Sequence, residues 1–292
     1  MTDTATTGSR VTDPPTTMQA VICHGPMDYR LEEVPVPTPG PGEVLVKVEA
    51  VGICASDLKC YHGAAKFWGD ENRPAWAETG VVPGHEFTGT VVVLDDEAAK
   101  HWGLVVGDRV VAEQIVPCWN CRYCDTGNYH MCAPHDMFGF KRRNPGGMAS
   151  YMVFPVQALV HKISKHLPAA HAAFAEPLSC ALHAVERARI GFADVVVVAG
   201  CGPIGLGMIA GAAAKFPAAI VALDMDQRKL DLALRTGATH AVNIADQDAM
   251  AVVKELTGGY GADVYLEGTG HPSAVLQGLN LLRKLGRFVE YS

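Results

Sequence analysis

Five consecutive β-branched or small apolar residues, Val195-Val196-Val197-Val198-Ala199, run without a break into Gly200-Cys201-Gly202-Pro203-Ile204-Gly205. An apolar run with no polar alternation suits a parallel strand buried on both faces. The glycines then permit a tight turn, close approach to a pyrophosphate and tight helix–strand contact, and the small-residue stretch Leu206–Phe216 reads as the helix that follows. The helix N-terminus offers free amides and the positive end of a dipole to phosphates.

A second strand, Ala219–Leu223, ends in Asp224, nineteen residues past Gly205. A carboxylate there accepts the adenosine-ribose hydroxyls and repels a 2′-phosphate. No Arg stands directly beside Asp224, so NAD is expected rather than NADP. The expected binding residues are Gly200, Gly202, Pro203, Ile204, Gly205, Asp224 and Lys229. The alternation continues through helix Gln227–Thr236, a strand near His240–Asn243, helix Asp248–Thr257, strand Asp263–Glu267, helix Ser273–Leu282 and strand Arg287–Tyr291. A doubly wound dinucleotide domain has a sixth strand beyond these five. The expectation is therefore a C-terminally truncated or naturally short form. Its last strand would be an open, apolar, aggregation-prone edge, and the 292-residue chain would be poorly soluble or partly unfolded.

The first half has a different character. Met18–Cys23, Leu31–Val36, Val44–Val51 and Val110–Ile115 read as short strands between Gly and Pro turns, with little helix, and Val81–Val93 places His85-Glu86 between apolar stretches. The strongest local signal is Cys118-x2-Cys121-x2-Cys124-x7-Cys132. Four thiolates at this spacing can close a tetrahedron around one zinc with no open position, which makes a structural site rather than a catalytic one. Two further stretches carry ligand chemistry: Gly52-Ile53-Cys54-Ala55-Ser56-Asp57 and Gly84-His85-Glu86. A thiol, an imidazole and carboxylates are the donor types zinc takes.

Composition bounds the alternatives. The 292 residues are 49% hydrophobic, enough for two ordinary domains. Net charge is −7 with no basic run, which argues against a nucleic-acid partner. No apolar run reaches the roughly 18 residues of a membrane span. Residues 1–17 lack the apolar stretch of a signal peptide and read as a disordered tail. The nine cysteines are an odd number with four crowded together, which favours metal over disulfides and places the chain in the reducing cytoplasm. Cys23, Cys60, Cys180 and Cys201 are expected to be plain buried thiols.

Taken together, these motifs resemble the zinc-dependent medium-chain dehydrogenase family from about Met18 to the last residue. Gly107-Asp108-Arg109-Val110 and Ala175-Glu176-Pro177-Leu178 add to the match. The resemblance implies a mixed α/β and β-rich two-domain chain. Residues 18–177 would form a GroES-like catalytic domain, and residues 178–292 a Rossmann domain, a doubly wound parallel sheet lacking its last strand. It further implies two zinc ions per chain. Cys54 and His85 would ligate the catalytic one, with Glu86 a ligand or exchangeable neighbour and Glu176, standing where alcohol dehydrogenases have a second Cys, a further ligand. Cys118, Cys121, Cys124 and Cys132 would hold the structural zinc. Ser56 would take the substrate proton and Asp57 would orient His85.

Glu176 within Glu-Pro-Leu-Ser is similar to the sorbitol and polyol dehydrogenase branch. The implied reaction is hydride transfer from a secondary hydroxyl of a short, tetritol-like polyol to NAD, giving a ketose, with a homo-oligomer as the assembly of a full-length form. Other outcomes are an alcohol, threonine or butanediol dehydrogenase of the same family, a catalytically impaired NAD-binding fragment, and a zinc-free quinone reductase. The ligand set argues against the last. Three positions depart from the family pattern: Lys59 replaces the proton-relay His, His62 is out of register for that role, and Asp95 stands where a Gly is usual. Tyr61, Phe67 and Trp68 are expected to line the substrate pocket or to pack their loop.

Overall fold

The computed structural model describes residues 13–291. The tail expectation for residues 1–12 lies outside the described residues, and the first strand already starts at Thr17. The chain divides into two compact units, one ending at Glu176 and the other beginning at Pro177. Among the described residues no helix is long and apolar enough to cross a membrane.

In the first unit the elements are β1 (Thr17–Gly25), β2 (Asp28–Pro35), β3 (Val44–Gly52), α1 (Ala55–Tyr61), α2 (Ala65–Trp68), β4 (Glu86–Leu94), α3 (Asp96–Trp102), β5 (Arg109–Ala112), α4 (Arg122–Asp125), β6 (Tyr151–Phe154), β7 (Val160–Lys162) and α5 (Ala169–Ala173). β1 and β2 form a hairpin, and five strands form an antiparallel sheet in the order β6-β3-β4-β5-β7. Inward residues of successive strands (Val44, Val46, Phe87, Val91, Val110, Met152, Phe154) share one core. This is the expected period-2 pattern of a sheet with one buried face.

Two differences from the sequence reading matter for chemistry. The stretch 81–93 joins the five-stranded ladder only from Glu86, while Val81 bridges Cys23 instead, because Pro83 has no amide to donate and Gly84 turns at φ +91°. His85 therefore stands on a turn, not within the ladder. Second, the stretch after β3 coils into α1, where Asp57 accepts the Cys54 amide at 2.9 Å and closes the first turn. Seven residues are too few to show helical periodicity. The departure at Asp95 also has a local cause: it caps α3, accepting from the amides of Ala98 (2.8 Å) and Gly42 (2.9 Å). In the Gly107-Asp108 turn, buried Asp108 accepts from the Val105 amide at 3.1 Å and meets Lys162 at 2.8 Å.

α6 (Ala175–Ala188) begins with the last two residues of the first unit and continues into the second. The second unit then alternates through β8 (Val195–Ala199), α7 (Pro203–Ala213), β9 (Ala219–Asp224), α8 (Gln227–Thr236), β10 (His240–Asn243), α9 (Ala249–Leu256), β11 (Ala262–Glu267), α10 (Pro272–Leu281) and β12 (Leu282–Glu290). Its five strands are parallel in the order β10-β9-β8-β11-β12. All five residues of β8 are buried. Val196 and Val198 pack with α6 and α7, while Val195 and Val197 pack on the other face with α9. Gly207 and Gly211 let α7 close on α6: a Cβ at Gly207 would lie 2.7 Å from that of Ala181.

β12 starts five residues earlier than the sequence reading placed it and pairs with β11, with an irregularity where the exposed Leu285 turns at φ +65°. The sequence shows only the regular half after this bulge.

Candidate metal centres and cofactor turn

β3 and β4 pair with Gly52 opposite Glu86. That register brings the start of α1 beside the turn before β4. One donor atom each from Cys54, His85 and Glu86 then falls within 4.8 Å of the others. Behind them sits Asp57, 4% exposed. One of its oxygens takes the Cys54 amide at 2.9 Å, and the other faces Nδ1 of His85 at 3.4 Å. That second contact is too poor in geometry to count as a hydrogen bond, so Asp57 Oδ1 and His85 Nδ1 are buried without a conventional partner. With Nδ1 turned to Asp57, the Nε2 of His85 is left for the donor group.

Electrostatics favour a cation here. Burial alone lowers the pKa of His85, but Asp57 and the Cys54 sulfur outweigh it and hold the value at about 10. Burial pushes the Glu86 carboxyl up, against the pull of His85. A thiol, an imidazole and a carboxylate around one point, with a carboxylate behind the imidazole, are donor types that zinc takes.

Of the other expected site residues, Ser56 lies on the first turn of α1, half-buried. Glu176 lies on the first turn of α6 and is not part of the three-donor group. Phe67 is a packing residue: it is buried and stacks on Phe140 with ring centres 5.3 Å apart, and Trp68 packs against the same cluster. Tyr61 meets Tyr29 edge-on. Phe140, which sequence reasoning passed over, lies 5.4 Å from the His85 ring and forms an apolar wall beside it.

The sulfurs of Cys118, Cys121, Cys124 and Cys132 also fall within 4.8 Å of one another. Cys121 and Cys124 sulfurs are 3.6 Å apart. Sulfurs at the corners of a tetrahedron around one zinc are about 3.8 Å apart, given Zn–S bonds of about 2.3 Å. Backbone amides support the set, Cys118 donating to Cys132 at 3.2 Å and Ala133 to Cys121 at 3.5 Å. The amides of Ala133 and Cys124 lower Cys121 to about 6, whereas burial raises Cys132 to about 11. Elsewhere Cys23, Cys60 and Cys201 are buried, as expected, while Cys180 is half-buried.

In the second unit the three glycines of the turn have separate reasons. Gly200 has φ +87°, and a Cβ on it would sit 2.9 Å from the Thr269 methyl. Gly202 caps α7 with nothing within 4 Å of its missing side chain, leaving space before the helix N-terminus. A Cβ on Gly205 would overlap the Gly200 carbonyl oxygen, which locks helix to strand. Pro203 and Ile204 open α7. Asp224 ends β9 and reaches across to the turn, accepting from the Cys201 amide at 2.8 Å and from the Met225 and Asp226 amides at 2.8 and 2.9 Å. Lys229 stands 4.0 Å from it. Open space at Gly202, a helix N-terminus and a carboxylate at the second strand end suit a dinucleotide.

Sequence reasoning missed Glu267. It is fully buried at the end of β11 and accepts from the Thr269 amide (2.8 Å), the Thr269 hydroxyl (2.5 Å) and the Gly270 amide (3.1 Å). It thus folds the loop that packs on Gly200. The available signal was an acid closing an apolar strand before Gly-Thr-Gly. Glu267→Gln is expected to cost about 1–3 kcal/mol, because an amide group then faces donors that need an acceptor. Urea unfolding of the variant beside the parent checks this.

Comparison with known proteins agrees in both units. Residues 40–165 match the family described as Alcohol dehydrogenase GroES-like domain, and residues 203–292 match Zinc-binding dehydrogenase. The chain is 74% identical to the erythritol/L-threitol dehydrogenase of Mycolicibacterium smegmatis, over 95% of this chain and 76% of that protein. It is 37% identical to a sorbitol dehydrogenase of Halalkalibacterium halodurans, over 91% of this chain and 74% of that protein. A solved structure from Sinorhizobium meliloti 1021 bound to NADP is similar at TM-score 0.83 and 29% identity, covering 94% of this chain and 76% of that one.

Proposed function

Since the chain belongs to the zinc-dependent medium-chain dehydrogenase family, we propose that it oxidises a secondary hydroxyl of a four-carbon polyol of the erythritol or threitol type to the ketose, with NAD as hydride acceptor. The observation that carries this reading is the convergence of Cys54, His85 and Glu86 within 4.8 Å, in a chain so similar to an erythritol/L-threitol dehydrogenase. A zinc held there by Cys54, His85 and Glu86 would supply Lewis acidity, making a substrate hydroxyl easier to deprotonate, and a bound nicotinamide would be the hydride acceptor.

The chain's own residues do the rest. Cys54, His85 and Glu86 hold the metal, and Asp57 fixes both the Cys54 backbone and the His85 ring. Ser56 accepts the proton released from the hydroxyl and passes it on to solvent. Glu176 recognises the neighbouring hydroxyl, which favours diols. The four-cysteine lobe holds a second zinc and takes no part in chemistry. The reducing cytoplasm suits a chain that needs its thiolates free, and a homo-oligomer belongs to the same reading, checked by light scattering. Assay against a panel of tetritols, sorbitol, threonine and butanediol tests the substrate class. No reduction of NAD or NADP with any tetritol would overturn it.

The choice of NAD rests on Asp224. Asp224→Ala removes the acceptor for the ribose hydroxyls and the tie to the Cys201 amide. It is expected to weaken NAD binding about tenfold to a hundredfold, corresponding to about 1.5–3 kcal/mol for hydrogen bonds to a charged group, and to relax the bar on NADP. Comparable use of NADP and NAD by the parent protein would show that Asp224 does not set the preference.

A further inference from the structure

Gly52 ends β3 directly opposite Glu86. It is not among the positive-φ glycines, so backbone freedom does not account for a glycine there. Space does. A Cβ built on Gly52 would lie 2.2 Å from Oε2 of Glu86, 3.1 Å from its Cβ and 3.3 Å from its Cδ. The Glu86 side chain folds back across β3 into the room a side chain at position 52 would fill. No backbone atom is among these close neighbours. By far the nearest of them is the carboxylate oxygen, at the free end of a flexible side chain, so a larger residue would displace the carboxylate first.

We infer that Gly52 is a positioning residue for the three-donor metal centre, keeping open the seat that aims the Glu86 carboxylate at the group formed with Cys54 and His85. The inference rests on Glu86 being a metal donor, as proposed above. Displaced from the seat, the carboxylate loses the placement that sets its oxygen within 4.8 Å of the Cys54 and His85 donors.

The test is a double-mutant cycle on the full chain, in which zinc affinity is read by competition with a chromophoric chelator. The chelator separates the three-donor centre from the tighter four-thiolate one. Gly52→Ala is expected to weaken the three-donor centre tenfold or more, with the four-thiolate centre unchanged and the melting profile close to the parent's. Glu86→Ala should weaken the same centre. The double variant should match Glu86→Ala alone, because no carboxylate is left to displace. Parent-like affinity in Gly52→Ala beside a weakened Glu86→Ala would overturn the inference and leave the donor reading standing. So would fully additive losses, which would mean that the added methyl acts on the backbone. Parent-like affinity in Glu86→Ala would overturn the donor reading and the inference with it. Should Gly52→Ala fold poorly, recovery of its melt in the double variant supports the clash with Glu86, and no recovery overturns it.

Discussion

Replacing Cys54 by Ser is expected to abolish turnover, by on the order of a thousandfold or more, while one zinc per chain stays bound in the four-cysteine lobe. A serine hydroxyl keeps its proton at neutral pH and is a poor zinc ligand beside a thiolate. The loss of Lewis-acid assistance adds several kcal/mol to the barrier, and each ~1.4 kcal/mol slows the rate about tenfold. The fold has little reason to suffer. The Cys54 amide still donates to Asp57 at 2.9 Å, so α1 keeps its first turn. Metal analysis and steady-state kinetics on the same preparation decide the matter: on the proposed two-centre reading, zinc content should fall by one ion per chain as activity disappears. A Cys54→Ser protein with full activity, or one that keeps both ions tightly bound, would remove Cys54 from the centre.

The opposite dissociation is expected at the lobe. Cys124→Ala takes one sulfur from a set that sits within 4.8 Å and leaves three thiols without a fourth partner. Structural zinc contributes folding free energy outright, about 10–16 kcal/mol in isolated zinc-finger peptides. In a unit with its own sheet and core, a smaller part of that is at stake, about 3–5 kcal/mol, or a fall in Tm on the order of 10 °C. Cys121, held near pKa 6 by the Ala133 and Cys124 amides, should then become the first thiol to alkylate, since thiolate fraction governs reactivity. Calorimetry and peptide mapping after brief alkylation give both readouts. A variant that melts with the parent would show the lobe to be dispensable for stability.

Local chemistry was legible in the sequence wherever one short stretch carries its own reason. The buried strand, the glycine turn and α7 follow from a continuous apolar run and small residues, and the lobe from four cysteines within fifteen positions (118 to 132). Those residues have few neighbours to consult: turn geometry, helix start and tetrahedral spacing are set within a few bonds. Other features needed the fold. Cys54 and His85 are 31 positions apart (85 minus 54), and only the β3–β4 register, with Gly52 opposite Glu86, sets them side by side. That register is chosen by which face of the sheet buries Val44, Val46, Phe87 and Val91, a property of the whole sheet. The same holds for Glu267, whose burial at the end of β11 depends on the strands and helices packed around it. The seat at Gly52 likewise exists only because a carboxylate from the neighbouring strand lies across it. The donors and the glycine turn can be read off short stretches of chain. Which of them meet follows from strand pairing and burial, which act between residues far apart in the chain.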